Sequence, residues 1–223
     1  MKLNLTKFST PKSGIRNPES IKNIIFDFGG VILNIDVKLT ERAFVDLGLK
    51  KIDKGQSLRD SAYLFDKIET GAMSPGQFRD ELRKFFIDPV TDDQLDAVWN
   101  ALLLDIPEAR IRLLETLRKD YRIFLLSNTN EIHYMKYLEN LREQYGYADF
   151  DALFEKAYFS FRIGLKKPSP EIFSHVLSES MLKPSETLFI DDTFIHVEAA
   201  GRAGIEAYHL DIEDGENITA LFQ

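Results

Sequence analysis

Four short clusters carry the residue types that do chemistry on anions. Asp27 closes the apolar run Ile24-Ile25-Phe26 and is followed, after Phe28, by the flexible pair Gly29-Gly30. Leu125-Leu126 leads into Ser127, Asn128, Thr129 and Asn130; Gly164 precedes Lys167-Pro168; Phe189-Ile190 ends on the adjacent acids Asp191 and Asp192. Carboxylates brought together repel one another unless a hard cation sits among them, and an oxygen-only ligand set suits Mg²⁺. Ser127, backbone N–H groups near Asn128 and a lysine can take phosphate oxygens. In that setting Asp27 could attack phosphorus to form an aspartyl-phosphate, with the cation and the lysine offsetting the repulsion between carboxylate and phosphate dianion. Taken singly, Asp27 could cap a turn, Ser127-Asn128 could be an ordinary strand-to-helix turn, and Lys167-Pro168 says little. Asp191-Asp192 resists a structural reading, because neighbouring carboxylates at a buried strand end repel. All four clusters, in this order and each beside an apolar run, are specific.

Such groups converge only if strand ends deliver them to one rim. Ile24–Phe28, Ile123–Leu126, Ala157–Phe159, Leu188–Ile190 and Ala207–Leu210 are continuous apolar runs, the mark of strands buried on both faces in a parallel sheet. Helical spacing separates them: Ile111, Leu113, Leu114 and Leu117; Ile132, Met135, Leu138 and Leu141; then Ile172, Phe173, Val176 and Leu177, with Ser169 as N-cap and Pro170 in the first turn. Strands alternating with helices predict a doubly wound, mainly parallel α/β sheet, in which ligands bind beyond the carboxyl ends of the strands. From Leu39 to Ile106 only helical periodicity is found, in Phe78, Leu82, Phe85 and Phe86 and in Leu95, Val98, Trp99, Leu102 and Leu103. Ser74…Gln77 and Thr91…Gln94 read as capping boxes. Too many helices for one crossover, these predict a helical cap at 37–106 inserted after the first strand of a core spanning 21–36 and 107–223. Residues 1–20, rich in Lys and interrupted by Pro and Gly, read as a loosely docked N-terminal arm.

Composition narrows the partners. A net charge of −8 disfavours a nucleic-acid partner, and the absence of Cys removes disulfides, thiol nucleophiles and thiolate metal sites. No apolar run approaches the ~18 residues of a membrane span. A cytoplasmic protein acting on a small molecule, with no nucleic acid or membrane partner, is the expectation; the oligomeric state is not legible.

The motifs Phe26-Asp27-Phe28-Gly29-Gly30-Val31-Ile32, Leu125-Leu126-Ser127-Asn128-Thr129-Asn130, Gly164 with Lys167-Pro168, and Phe189-Ile190-Asp191-Asp192 resemble those of the haloacid dehalogenase superfamily. Within it the chain is similar to the branch containing α-D-glucose-1-phosphate phosphatase. The resemblance implies that Asp27 is the nucleophile and a Mg²⁺ ligand, the Gly29 carbonyl a second ligand and Asp192 a third, with Asp191 beside it. Ser127, Asn128 and Lys167 would bind the transferring phosphoryl group, and Glu69, in Glu69-Thr70-Gly71, lies where caps of the family present a substrate-contacting loop. Two departures stand out. His196 occupies a position that is often Asn or Asp. Gly29 stands where phosphatases of the family carry a second Asp that protonates the leaving oxygen, so either general acid help is lost or another group, Asp36 or Glu69, supplies it.

The reading these features favour is a Mg²⁺-dependent phosphatase of a small, sugar-like phosphate monoester. The alternatives are a 2-haloacid dehalogenase, which has no use for Asp191-Asp192 as metal ligands, and a phosphate-binding regulatory domain, which has no use for a nucleophile. His133, His175 and His209 offer no zinc spacing and read as structural, Lys166 as a solvated surface charge, and the Trp99 stripe as cap core.

Overall fold

The computed structural model describes Leu3, Ile15, residues 17–49 and residues 62–222. The expected N-terminal arm therefore lies largely outside the described residues. Of it, Leu3 and Ile15 are buried in the main core, and Leu3 forms an antiparallel bridge with Phe222.

Five strands, β1 (Asn23–Phe26), β2 (Arg122–Ser127), β3 (Lys156–Phe159), β4 (Thr187–Asp191) and β5 (Glu206–His209), form one all-parallel sheet in the order β3-β2-β1-β4-β5. The apolar runs are buried on both sides because successive side chains point to opposite faces. Ile24, Phe26, Ile123, Leu125, Leu188 and Ile190 pack on one face with α5 (Glu108–Leu117) and α6 (Glu131–Tyr145). Ile25, Phe124, Leu126 and Phe189 pack on the other with α8 (Pro170–Glu179) and α9 (Phe194–Arg202). Strand order reverses at β1, so the crevice at its carboxyl end, between β2 and β4, is where such a sheet binds ligands.

The stretch between β1 and β2 holds α1 (Val37–Asp46), α2 (Ala62–Glu69), α3 (Pro75–Arg83) and α4 (Asp92–Trp99), the remaining short helix α7 (Ser160–Ile163) following β3. Both capping boxes form, with Gln77 N to Ser74 Oγ at 3.3 Å and Gln94 N to Thr91 Oγ1 at 3.2 Å. The apolar stripes outrun their helices: Phe85 and Phe86 lie in a turn beyond α3, and Leu102 and Leu103 lie in and just after a 3₁₀ turn beyond α4. Ser169 stands at the N-cap of α8 as expected, but its hydroxyl goes to the Glu171 carboxylate instead of a helix N–H.

These four helices bury a cluster of their own (Phe44, Leu64, Ile68, Phe78, Leu82, Phe86, Leu95 and Trp99), closed from below by Ile132 of α6. The chain enters and leaves them side by side. Asn34 N donates to Asp105 O at 2.9 Å, Leu104 N to Asn34 O at 3.0 Å and Asp36 N to Leu102 O at 2.9 Å, with Ile35 opposite Leu103. Against α6, the Trp99 indole lies nearly parallel to the His133 ring, 11° between planes and 4.9 Å between centroids. His133 Nδ1 pairs with Asn100 Oδ1 at 2.9 Å, and Trp99 Nε1 donates to Asn130 Oδ1 at 3.4 Å. No helix among the described residues is long and apolar enough to cross a membrane.

Burial pushes the His133 imidazole down to about 3. An unfolded histidine takes a proton near pH 6.5, so between that pH and about 3 the unfolded chain binds more protons and stability falls as pH falls. Wild type should lose about 2 kcal/mol from this group between pH 7 and pH 5, at ~1.4 kcal/mol per pK unit. Urea denaturation of wild type and His133→Phe at both pH values checks it: the variant should lose less, and parallel losses would contradict the expectation.

Candidate active site

Strand register brings the acids together. Phe26 is opposite Ile190, so Asp27 and Asp191 emerge side by side, and Asp27 N continues the ladder to Ile190 O at 2.9 Å. Oxygens of Asp27, Asp191 and Asp192 lie within 4.8 Å of one another. Between Asp27 and Asp191 sits Lys167, 1 % exposed, its ammonium 2.6 Å from Asp27 Oδ1 and 2.6 Å from Asp191 Oδ2. The Lys167 backbone is held in turn by Asn128, whose amide donates to Lys167 O and accepts from Lys167 N, both at 2.9 Å. The Asn128 side chain is thus committed to placing the lysine.

The electrostatics divide the acids. Burial pushes Asp27 up to about 7; Lys167 opposes this, while Asp191 and Asp192 add to it. Burial would raise Asp191 too, but Lys167 and the His196 ring hold it down at about 2. Burial and the charge of Asp191 raise Asp192. For Lys167, burial works against the charged form, yet Asp191 and Asp27 outweigh it and keep the ammonium above its ordinary value. A single buried cation among these acids leaves an excess of negative charge, and the all-oxygen donor set fits a hard divalent ion.

Asp191 is fully buried and both its oxygens are engaged: Oδ1 accepts from Thr193 N at 2.8 Å, and His196 Nδ1 lies 3.1 Å from each oxygen. Asp192 is half-buried, and the backbone at Gly30 passes close against it. With φ at +77°, a Cβ at Gly30 would run into the Asp192 carboxylate, 2.8 Å from its Cγ, which is why this turn takes glycine. Among the described residues no backbone hydrogen bond beyond the regular elements ends on the Gly29 carbonyl. Gly29 itself faces Ile35, whose Cδ1 would be 3.2 Å from a Cβ placed there. No carboxylate fits at position 29 without moving that side chain.

Of the other expected residues, Ser127 is buried at the carboxyl end of β2. Asp36 caps α1, accepting from Lys38 N at 2.9 Å. Glu69 faces the sheet's loops but pairs with a lysine: Lys166 Nζ is 2.9 Å from Glu69 and 2.8 Å from Asp66. Lys166 is therefore not the solvated surface charge its sequence context suggests; it ties the loop carrying Lys167 to α2. Beside it the turn after α2 rests on α7, where a Cβ at Gly71 (φ +69°) would strike the Phe161 carbonyl. Sequence reasoning also missed Arg110, a buried cation of α5 that donates to Ile32 O at 3.1 Å and steadies the turn after β1.

Known proteins are similar to this chain. The haloacid dehalogenase-like hydrolase family matches residues 21–204. D-ribitol-5-phosphate phosphatase of Bacteroides thetaiotaomicron is 32% identical over 188 residues, 84% of this chain and 91% of the relative. A crystal structure of a haloacid dehalogenase family enzyme from the same organism, in complex with magnesium and inorganic phosphate, superposes with a TM-score of 0.79 at 36% identity, covering 91% of this chain and 100% of that one. L-2-haloacid dehalogenase of Xanthobacter autotrophicus superposes with a TM-score of 0.56 at 17% identity, covering 85% and 77%, a likeness of fold alone.

Proposed function

From a chain that belongs to the haloacid dehalogenase-like hydrolase family, we propose a Mg²⁺-dependent phosphatase that hydrolyses a small sugar or sugar-alcohol phosphate through an aspartyl-phosphate on Asp27. The observation that carries this is the Asp27–Asp191–Asp192 cluster with Lys167 buried inside it. A dehalogenase would have no use for the extra carboxylates, and a binding module would have none for a nucleophile.

Asp27, the Gly29 carbonyl and Asp192 would hold Mg²⁺, which when bound offsets the negative charge that keeps a phosphate dianion from these acids. Asp191 serves Lys167, holding the ammonium beside Asp27 where it steadies the phosphoryl oxygens together with Ser127 and the backbone N–H of Asn128. Asp27 then attacks phosphorus as the ester oxygen departs. Water releases phosphate from Asp27 in a second step. Residues 37–106 act as the cap, with Glu69 and Lys166 at its contact with the core.

Asp192→Ala is expected to raise the Mg²⁺ concentration for half-maximal activity by at least the ~10–100-fold that losing an outer-shell partner costs. A metal titration of both proteins measures it; unchanged demand for Mg²⁺ would remove Asp192 from the ligand set.

Leaving-group preference follows from Gly29. General acid help is worth ~10²–10⁴ in rate, and with Ile35 against Gly29 that position supplies none. An anomeric oxygen, stabilised by the ring oxygen, leaves without it more easily than a primary alkoxide. Glucose 1-phosphate should therefore exceed glucose 6-phosphate in kcat/KM. D-ribitol 5-phosphate belongs in the same panel because of the relative, and its primary leaving oxygen makes it the stringent member: if it leads, the cap supplies the proton. The panel run with Mg²⁺ and with chelator, beside a 2-chloropropionate assay, tests the whole reading; dehalogenation, or activity that survives exhaustive chelation, would overturn it.

A further inference from the structure

His196 is left over by this chemistry, yet it touches its most buried acid. It sits in the first turn of α9, five residues beyond Asp191, with Nδ1 3.1 Å from both carboxylate oxygens. An ionised carboxylate only accepts, so the ring carries a proton on Nδ1 and donates it. The remaining donors to Asp191 are Thr193 N on Oδ1 and the Lys167 ammonium on Oδ2. Lys167 continues to Asp27 Oδ1 at 2.6 Å, completing an unbroken path from His196 to the nucleophile.

Rotation about the last bond of an aspartate has a broad, shallow profile. Thr193 N fixes only one oxygen of Asp191, and the lysine is itself a flexible chain of four carbons that takes its place from the acid. The bridging imidazole is what sets the plane of the carboxylate. We propose that His196 is a positioning residue that, through Asp191, aims the Lys167 ammonium at Asp27. The kinetic consequence rests on the phosphatase reading above, whereas the placement of the lysine does not.

Two substitutions separate placement from mere packing. His196→Leu fills the space without a donor. His196→Asn keeps one, since its amide nitrogen is as many bonds from Cβ as histidine Nδ1. Two readouts apply to the full chain: the ¹⁵N-edited resonance of the buried Lys167 ammonium, recorded without substrate, and kcat and KM with the best phosphate ester at saturating Mg²⁺. His196→Leu should shift or broaden the Lys167 signal and lower kcat by about 10–100-fold, the usual cost of removing a group that orients a reacting one, with KM little changed. His196→Asn should restore both. An unaltered Lys167 signal and kcat in His196→Leu would overturn the proposal, as would equal losses in the two variants. If wild type hydrolyses no phosphate ester, the phosphatase reading falls by itself and the lysine resonance alone decides the placement.

Discussion

Asp27→Asn is expected to lower phosphatase turnover by about 10⁴-fold or more, the scale on which a covalent nucleophile's loss is felt, while the folded protein becomes no less stable. The amide keeps the size of the side chain and removes its nucleophilic charge. Stability follows from the raised acid. Asp27 is pushed to about 7 by burial and by two neighbouring carboxylates, whereas an unfolded aspartate ionises near 3.9. A carboxyl that ionises later in the folded state favours unfolding at any pH above the unfolded value, and the effect grows until pH passes about 7. Removing it at pH 8 in chelator should stabilise the fold by on the order of 1–3 kcal/mol, offset in part because an amide oxygen attracts the Lys167 ammonium less strongly than a carboxylate does. Lys167 retains Asp191. Turnover close to wild type in a well-folded variant would sink the assignment of Asp27, and a marked fall in Tm would sink the account of its charge.

Lys167→Met carries the opposite expectation for stability and the same one for activity. The ammonium is the cation bonded to both Asp27 and Asp191, and it is wholly enclosed. Methionine fills the space but takes the ammonium from both buried acids, leaving Asp191 only Thr193 N and the His196 ring as donors, and breaking a buried pair in this way costs about 3–5 kcal/mol. Turnover should fall at least ~10³-fold through lost stabilisation of the phosphoryl charge. Two controls identify the cause. Saturating Mg²⁺ should recover part of the stability, since an ion that binds only the folded state stabilises it by mass action, yet leave turnover low. Combining Lys167→Met with Asp27→Asn should recover more stability than Asp27→Asn adds to the wild type, because in that background the acid removed has lost its cation. Calorimetric scans with and without Mg²⁺ provide both comparisons; a double variant whose stability change is simply the sum of the two single changes would contradict the electrostatic account.

The sheet and the acids at its rim were legible because buried parallel strands are continuous apolar runs and because each chemical cluster immediately follows one. Register then does what sequence cannot display, setting Asp27 beside Asp191 although they are far apart along the chain. Helix ends were less legible. Phe85 and Phe86 keep helical spacing after the helix has ended, since the cluster beneath them continues beyond the hydrogen-bonded turns, whereas Leu103, past the end of α4, packs against the main core instead. Lys166 looked solvated because its partners, Asp66 and Glu69, come from a separate helix about 100 residues earlier. Ile35 gave no local sign that it faces Gly29, and the commitment of Asn128 to the Lys167 backbone arises only where two loops meet.

Trp99 is the only tryptophan in the chain, and it lies at the seam where the inserted helices rest on α6, its indole stacked on His133 and bonded to Asn130. The protein thereby contains its single indole fluorophore at the contact that must loosen if the insert lifts. While seated, the indole is screened from solvent; lifted, it meets water, and its emission moves to longer wavelength. The remaining aromatic residues are phenylalanines and tyrosines, which leave the red side of the spectrum to this one ring. Any lifting of the insert on addition of substrate would accordingly register as a shift in stopped-flow emission of the unmodified chain, without a label.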